Sequence, residues 1–259
     1  LELQRIGRVS TDGGARWGVF ENDQVVSLCG DPFKVPLRTG PPLGRMADLA
    51  VLPPCVPTKI VCVGRNYAAH AEEHGAEVPA EPLLFLKPPS AVIGAQQDII
   101  LPSMSHQVEH EAELAVVIGS SCRNVVERDA WRHVLGITCG NDVTARDLQR
   151  SDGQWTRGKG FDTFCPLGPW LVTGFGADAV RALELTCRVN GELRQTGRVE
   201  DMAFPPAFLV AFVSQVMTLE PGDVILTGTP EGVGPLHPGD RVTVEIEGVG
   251  ALENPVRSA

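Results

Sequence analysis

No apolar run in the chain approaches the ~20 residues that a membrane-spanning helix needs, so no membrane partner is expected. The opening residues, Leu1-Glu2-Leu3-Gln4-Arg5, lack the basic-then-apolar build of a signal peptide, and a cytoplasmic protein is expected. A surplus of positive charge is lacking too. The 22 Lys and Arg stand against 32 Asp and Glu, and the net charge of −10 argues against nucleic acid as a partner. It does not exclude an anionic substrate, because a metal and a few arginines make a local positive pocket. The seven cysteines are odd in number, and no pair is spaced C-x-x-C. They read as reduced core thiols rather than a disulfide framework, a catalytic cysteine being the sharper alternative.

What is present is ample material for a core. With 259 residues and 43% hydrophobic content, the chain is long enough for one large domain or two small ones. Residues 1 to about 30 alternate strand-like runs (Arg5 to Val9, Arg16 to Phe20, Val25 to Cys29) with turn residues, which predicts a small β-meander. Residues 31 to 57 carry Pro32, Pro36, Pro41, Pro42, Pro53, Pro54 and Pro57 and read as a stiff connector, with one short helix within Gly44 to Leu52. The domain boundary is placed near residue 52, giving a small N-terminal β-rich domain (1–52) and a larger domain (53–259).

The chemistry centres on residues 108 to 149. In Val108-Glu109-His110-Glu111-Ala112-Glu113, the three glutamates alternate and so share one face of a strand. Leu114 to Ile118 is continuously apolar, as expected of a strand buried on both faces. Carboxylates running into such a strand need a cation, either Arg or Lys or a metal. Leu135 to Cys139 reads as a further strand, and Thr144 with Asp147 forms a capping-box pattern opening a short helix. That places Asp142 on the turn and Arg146 in the first helical turn, beside an anion pocket at the helix start. A hard metal held by Glu111, Glu113 and Asp142 is inferred. Oxygen-only ligands favour Mg²⁺, Mn²⁺ or Ca²⁺ over zinc. The bland alternative is a strand edge whose glutamates face water.

Other stretches bear on the same chemistry. If Gly64 to His74 is helical, His70, Glu73 and His74 share one face, and a His with Glu at i+3 can serve as a general base. A solvated helix face, or a zinc site from His70 and His74, is the competing reading. Gly75 to Pro82 reads as a mobile loop, part of a lid. Lys87 ends the strand Leu83 to Lys87 and leans toward the site. Lys159, flanked by glycines, can stabilise developing enolate charge or simply face solvent. Asn190-Gly191 predicts a type I′ hairpin, and Pro205 or Pro206 opens a buried helix to about Met217. The loop Leu226-Thr227-Gly228-Thr229-Pro230-Glu231-Gly232-Val233-Gly234 offers amides and hydroxyls to an anion, an ordinary strand-end turn being the alternative. The chain closes on a hairpin of Val242 to Ile246 and Ala251 to Val256.

Taken together, the chain resembles the fumarylacetoacetate hydrolase family. The resemblance lies in Gly64-Arg65-Asn66-Tyr67-x-x-His70, Phe85-Leu86-Lys87-Pro88, His110-Glu111-x-Glu113-Leu114 and Asp142-x-Thr144-x-Arg146-Asp147. It continues through Gln154-Trp155-x-x-x-Lys159-x-Phe161-Asp162 and Leu226-Thr227-Gly228-Thr229-Pro230-x-Gly232-Val233-Gly234. It implies a mainly β fold, a mixed β-roll with few helices, and a homodimer. It implies Mg²⁺ or Mn²⁺ on Glu111, Glu113 and Asp142. Substrate binding and polarisation fall to Arg146, Gln149, Lys159 and Thr229, and His70 with Glu73 becomes a base on a lid. The naming hydrolase has a further metal aspartate before its histidine. Lys59 to Ala69 contains no carboxylate, which favours the smaller members acting on 2-oxo or 2-hydroxydienoic diacids.

The expected reaction is isomerisation or decarboxylation of a small anionic 2-oxo acid through a metal-stabilised enolate, of the kind met in homoprotocatechuate breakdown. Hydrolysis of acylpyruvates such as fumarylpyruvate, or oxaloacetate decarboxylation, is the alternative. A metal-dependent 2-oxo-acid binding protein and a structural β-protein are the non-enzymatic readings.

Overall fold

The computed structural model describes residues 2–34 and 38–259. The fold is mainly β, as expected, and its strands form three sheets. The largest runs in the order Arg38–Arg45, Gln24–Cys29, Gly14–Glu21, Gln4–Thr11, Cys165–Thr173, Val134–Asn141, Ala112–Ile118, Val224–Leu226, Ile60–Gly64 and Leu83–Lys87. It is mixed: Val224–Leu226 pairs in parallel with Ile60–Gly64, whereas Ala112–Ile118 pairs antiparallel with both its neighbours. A five-stranded sheet contains the hairpin Glu184–Val189 and Glu192–Arg198 and the closing hairpin Arg241–Ile246 and Gly250–Ser258. Asn190 (φ 54°) and Gly191 (φ 84°) both adopt the positive φ that the type I′ turn requires.

Ala112–Ile118 is buried along its whole length because each face has its own core. Leu114, Val116 and Ile118 pack with Leu185, Val244 and Ile246 from the five-stranded sheet. Ala115 and Val117 pack on the other side with Ile60, Cys62 and Leu167. The helix Pro206–Val216 lies against the first of these cores through Leu209, Val210 and Val213.

The N-terminal meander forms as expected, and its first strand pairs antiparallel with Cys165–Thr173, so it continues the large sheet. The connector reading of residues 31–57 needs correction. Arg38–Arg45 is a strand, followed by a single 3₁₀ turn (Met46–Asp48) and the strand Ala50–Leu52. Pro41 and Pro42 are tolerated because their strand is the sheet's edge, where a missing N–H breaks no ladder; its pairing register is correspondingly irregular. Pro36 lies outside the described residues. Among the described residues, no helix is long and apolar enough to cross a membrane.

The capping box does not form either. The helix Arg146–Asp152 has Ala145 as its N-cap and no side-chain cap. Thr144 instead pairs in a two-residue strand, its hydroxyl 3.0 Å from Glu111 Oε1 and 2.8 Å from the Asp142 carbonyl oxygen. Asp147 turns outward and accepts from the Ser105 hydroxyl (2.6 Å) and the His106 N–H (2.9 Å). The Arg146 N–H donates to the Gln107 carbonyl and the Leu148 N–H to Asp147, so the helix start holds fewer free donors for an anion than the sequence suggests.

Candidate active site

The expected single strand from Val108 onward is broken at Glu111. Val108–His110 belongs to a three-stranded sheet with Thr144–Ala145 and Gly234–Pro235, and Ala112–Ile118 belongs to the large sheet. Glu111 therefore sits where the chain passes between sheets, and Glu109, Glu111 and Glu113 are all buried. The solvated-edge reading is excluded by that burial. Asp142 leaves the neighbouring strand Val134–Asn141, and its N–H donates to the Glu111 carbonyl at 2.9 Å. Carboxylate oxygens of Glu111, Glu113 and Asp142 lie within 4.8 Å of one another.

Basic groups share this space. Lys159 Nζ bridges Glu111 Oε2 (2.8 Å) and Asp142 Oδ2 (2.7 Å), and Lys87 donates to Asp142 Oδ1 (2.5 Å). Arg146 donates to Glu109 (2.7 Å), Glu111 (2.6 Å) and the Gln149 side-chain oxygen Oε1 (2.6 Å). Burial would raise the Glu111 carboxyl, but Lys159 and Arg146 outweigh it and hold it far below the usual range. Burial would also lower the Lys159 ammonium, but Asp142 and Glu111 raise it.

Glu113 differs from its neighbours. Among the described residues its carboxylate accepts one hydrogen bond, from the Gly228 N–H at 2.7 Å, and has no basic partner. Burial, and then the charges of Asp142 and Glu111, push its carboxyl well above the usual range. Four buried carboxylates thus face three buried cations, and the excess negative charge collects on the Glu111, Glu113 and Asp142 oxygens. An all-oxygen set short of positive charge fits a hard divalent cation.

The wall opposite is made by Ile60–Gly64 and the turn after it. Asn66 is fully buried; its amide donates to the carbonyls of Thr227 (2.7 Å) and Phe204 (3.0 Å) and accepts from the Phe204 N–H (2.8 Å). This ties the turn to the Thr227–Thr229 loop. The helix Ala68–Glu73 follows, with His70 Nδ1 3.3 Å from Glu73 Oε2, and Glu73 Oε1 accepts from the Gly232 N–H at 3.1 Å. Burial holds the His70 imidazole below its usual value, so its neutral form dominates at neutral pH. His74 packs edge-on against His70, ring centroids 4.7 Å apart. Burial pushes the Cys55, Cys139 and Cys187 thiols up to about 12, away from the reactive thiolate form.

His70, Glu111, Glu113, Asp142, Arg146, Gln149, Lys159 and Thr229 all line one cavity of about 290 Å³. Glu73 stands behind His70 rather than on the cavity surface. Two structural partners have roles that their local sequence does not signal. Asn66 is one. Gln195 is the other: its carbonyl oxygen accepts from the Ala112 N–H and lies 3.0 Å from His110 Nδ1, while its amide donates to the Thr229 hydroxyl and the Pro230 carbonyl. Nothing in the local pattern of Glu192–Arg198 marks Gln195 for this role.

Comparison with known proteins agrees with the fold. Residues 59–257 match the family model of the fumarylacetoacetate (FAA) hydrolase C-terminal domain, and residues 4–54 match an N-terminal model described as Rv2993c-like. The chain belongs to the fumarylacetoacetate hydrolase family and is an enzyme of that family. Among solved structures it is similar to a 5-carboxymethyl-2-hydroxymuconate delta-isomerase from Mycobacterium smegmatis. That match has 44% identity and a TM-score of 0.90, covering 98% of this chain and 100% of that one. It is equally similar to a 2-hydroxyhepta-2,4-diene-1,7-dioate isomerase from Mycobacterium marinum, at 43% identity and a TM-score of 0.90, covering 98% of each chain. Among curated relatives, the human mitochondrial oxaloacetate tautomerase FAHD2A is 46% identical over 225 residues, covering 83% of this chain and 72% of that protein.

Proposed function

We propose that this protein is a divalent-metal-dependent enzyme acting on a small 2-oxo or 2-hydroxydienoic dicarboxylic acid, as an isomerase or decarboxylase of aromatic-type catabolism, with a proton shift as its favoured reaction. The observation that carries the reading is the meeting, in one cavity, of the Glu111, Glu113 and Asp142 oxygens with the imidazole of His70. Glu111, Glu113 and Asp142 would hold a Mg²⁺ or Mn²⁺ ion, which would supply Lewis acidity toward the substrate. Lys159 sets a fixed positive charge beside the place where negative charge builds on the substrate. His70, neutral at working pH, takes or returns the proton, and Glu73 orients its ring. Arg146, paired with Glu109 and Glu111, holds the carboxylates in register. Gln149 and Thr229 present polar groups to the substrate, and Phe85 and Trp155 limit water. The relatives support this reading because isomerase and tautomerase both name a proton shift. A homodimer is carried over from the family resemblance, and a cytoplasmic location from the reading of the cysteines as reduced core thiols.

Oxaloacetate tautomerisation is the second reading, favoured by the curated relative of that activity. C–C hydrolysis of acylpyruvates or oxaloacetate decarboxylation needs the same site with water or CO₂ loss in place of the proton shift. Purified protein with Mg²⁺ or Mn²⁺ would be offered 2-hydroxyhepta-2,4-diene-1,7-dioate, oxaloacetate and fumarylpyruvate, with ultraviolet absorbance and product mass recorded. Conversion of the dienoic diacid that stops with EDTA and falls at least about 100-fold in His70→Ala is expected. Metal-dependent binding with no turnover of any of the three would leave a binding protein and sink the enzyme assignment.

A further inference from the structure

The cations deep in the cavity are all engaged. Lys87, Arg146 and Lys159 each hold one or more buried carboxylates at 2.5–2.8 Å. Two other arginines line the same cavity and are exposed, Arg65 and Arg150. Among the described residues neither makes an ion pair.

The two come from separate elements. Arg150 lies on the helix Arg146–Asp152, one turn beyond the buried Arg146. Arg65 follows the strand Ile60–Gly64 and has φ 58°, a conformation that L side chains seldom adopt. Its backbone is held there by Asn66, whose side chain makes three hydrogen bonds and whose carbonyl accepts from the Ala203 N–H at 2.8 Å. A strained residue kept by so many constraints is a common mark of a ligand-facing position.

The same cavity has an apolar wall. Phe85 and Trp155 meet edge to face at 5.1 Å and both line the cavity. Gly64 permits it: a Cβ there would lie 2.8 Å from the Trp155 ring. The cavity therefore combines buried carboxylates with their cations, an apolar wall, and two exposed arginines in no ion pair among the described residues. We propose that Arg65 and Arg150 clamp the distal carboxylate of an extended dicarboxylate, and so set the enzyme's preference for diacids over acids with a neutral tail. This rests on the function proposed above, in which a dicarboxylic acid is acted on beside Glu111, Glu113 and Asp142. Guanidinium groups suit the task because they pair with carboxylates in a bidentate way and shed water readily.

The test uses two substrates and a non-reacting ligand. Wild type, Arg65→Gln, Arg150→Gln and the matching lysine variants are assayed with Mg²⁺ on 2-hydroxyhepta-2,4-diene-1,7-dioate and its 7-methyl ester. Binding of 2-oxoheptanedioate and its far-end methyl ester is measured in parallel by calorimetry. Each Gln variant is expected to lower the diacid-to-ester ratio of kcat/KM by about 10- to 100-fold, mostly through KM, with partial recovery in the lysine variant. A ratio that stays at the wild-type value in both Gln variants overturns the clamp, as does wild type that binds the diacid no better than the ester. Wild type that prefers the diacid in binding, loses that preference in the Gln variants, and turns over neither substrate supports the clamp and overturns the reaction instead.

Discussion

Two stretches of strand in this molecule set polar and apolar residues in alternation, with opposite outcomes. Along Arg241–Ile246, Val242, Val244 and Ile246 point into the core while Arg241 and Glu245 face solvent. Along the stretch from Glu109 through Ala112–Ile118, the glutamates are as buried as the valines. The first strand has one core beneath it and water above. The second has a core on each side, and its acidic end runs under the Thr227–Thr229 loop and the Arg146 helix. Alternation tells which residues share a face, but what that face meets decides whether a carboxylate is solvated or confined.

The largest effect should come from removing the cation shared by two confined carboxylates. Lys159→Met leaves Glu111 and Asp142 facing each other and is expected to cost about 3–5 kcal/mol of stability by denaturant titration. Arg241→Met, at the exposed partner of Glu253, should cost nothing measurable. Equal losses at the two positions would erase the contrast.

Glu113 sharpens it from the other side. Because it has no basic partner, Glu113→Gln should melt at or above wild type when metal is absent. The same variant should lose the rise in Tm that Mg²⁺ gives wild type, and lose on the order of 10²-fold or more in turnover. A Glu113→Gln protein still stabilised by Mg²⁺ would place the ion elsewhere. Glu245→Gln, on the solvated strand, should alter neither property.

The smallest effect concerns pH. Burial holds His70 below its ordinary value, and Glu73 works the other way. The neutral form is the one the fold favours, so its contribution to stability is present above the unfolded-state value of ~6.5 and is lost as pH falls through the lower folded value. Turnover by neutral His70 should likewise persist through pH 7 and fall only on the acid side. Glu73→Gln removes an influence that raises His70, so its acid limb should shift to lower pH. A shift to higher pH in a pH–rate profile would refute the dyad.

Much of this was legible from local pattern. The buried run Leu114 to Ile118, the Asn190-Gly191 hairpin and the acidic residues at 111, 113 and 142 each announce themselves within a few residues. The errors have local causes as well. Proline content suggested a connector where an edge strand tolerates Pro41 and Pro42, because position within the sheet is not encoded nearby. Thr144 and Asp147 have the spacing of a capping box, but the stronger claim of Glu111 on Thr144, and of Ser105 and His106 on Asp147, redirected both side chains.

By itself the sequence determined the strand-rich class, the face that the glutamates share and the candidates for proton transfer, since these follow from side-chain periodicity and residue chemistry. Only the tertiary structure decided the partners: Lys159 reaches Asp142 across 17 positions and Glu111 across 48, and Lys87 reaches Asp142 across 55. Those separations have no periodic signature. The pairs are selected by the energy of burying charge, which acts on whatever groups the folded sheets bring together.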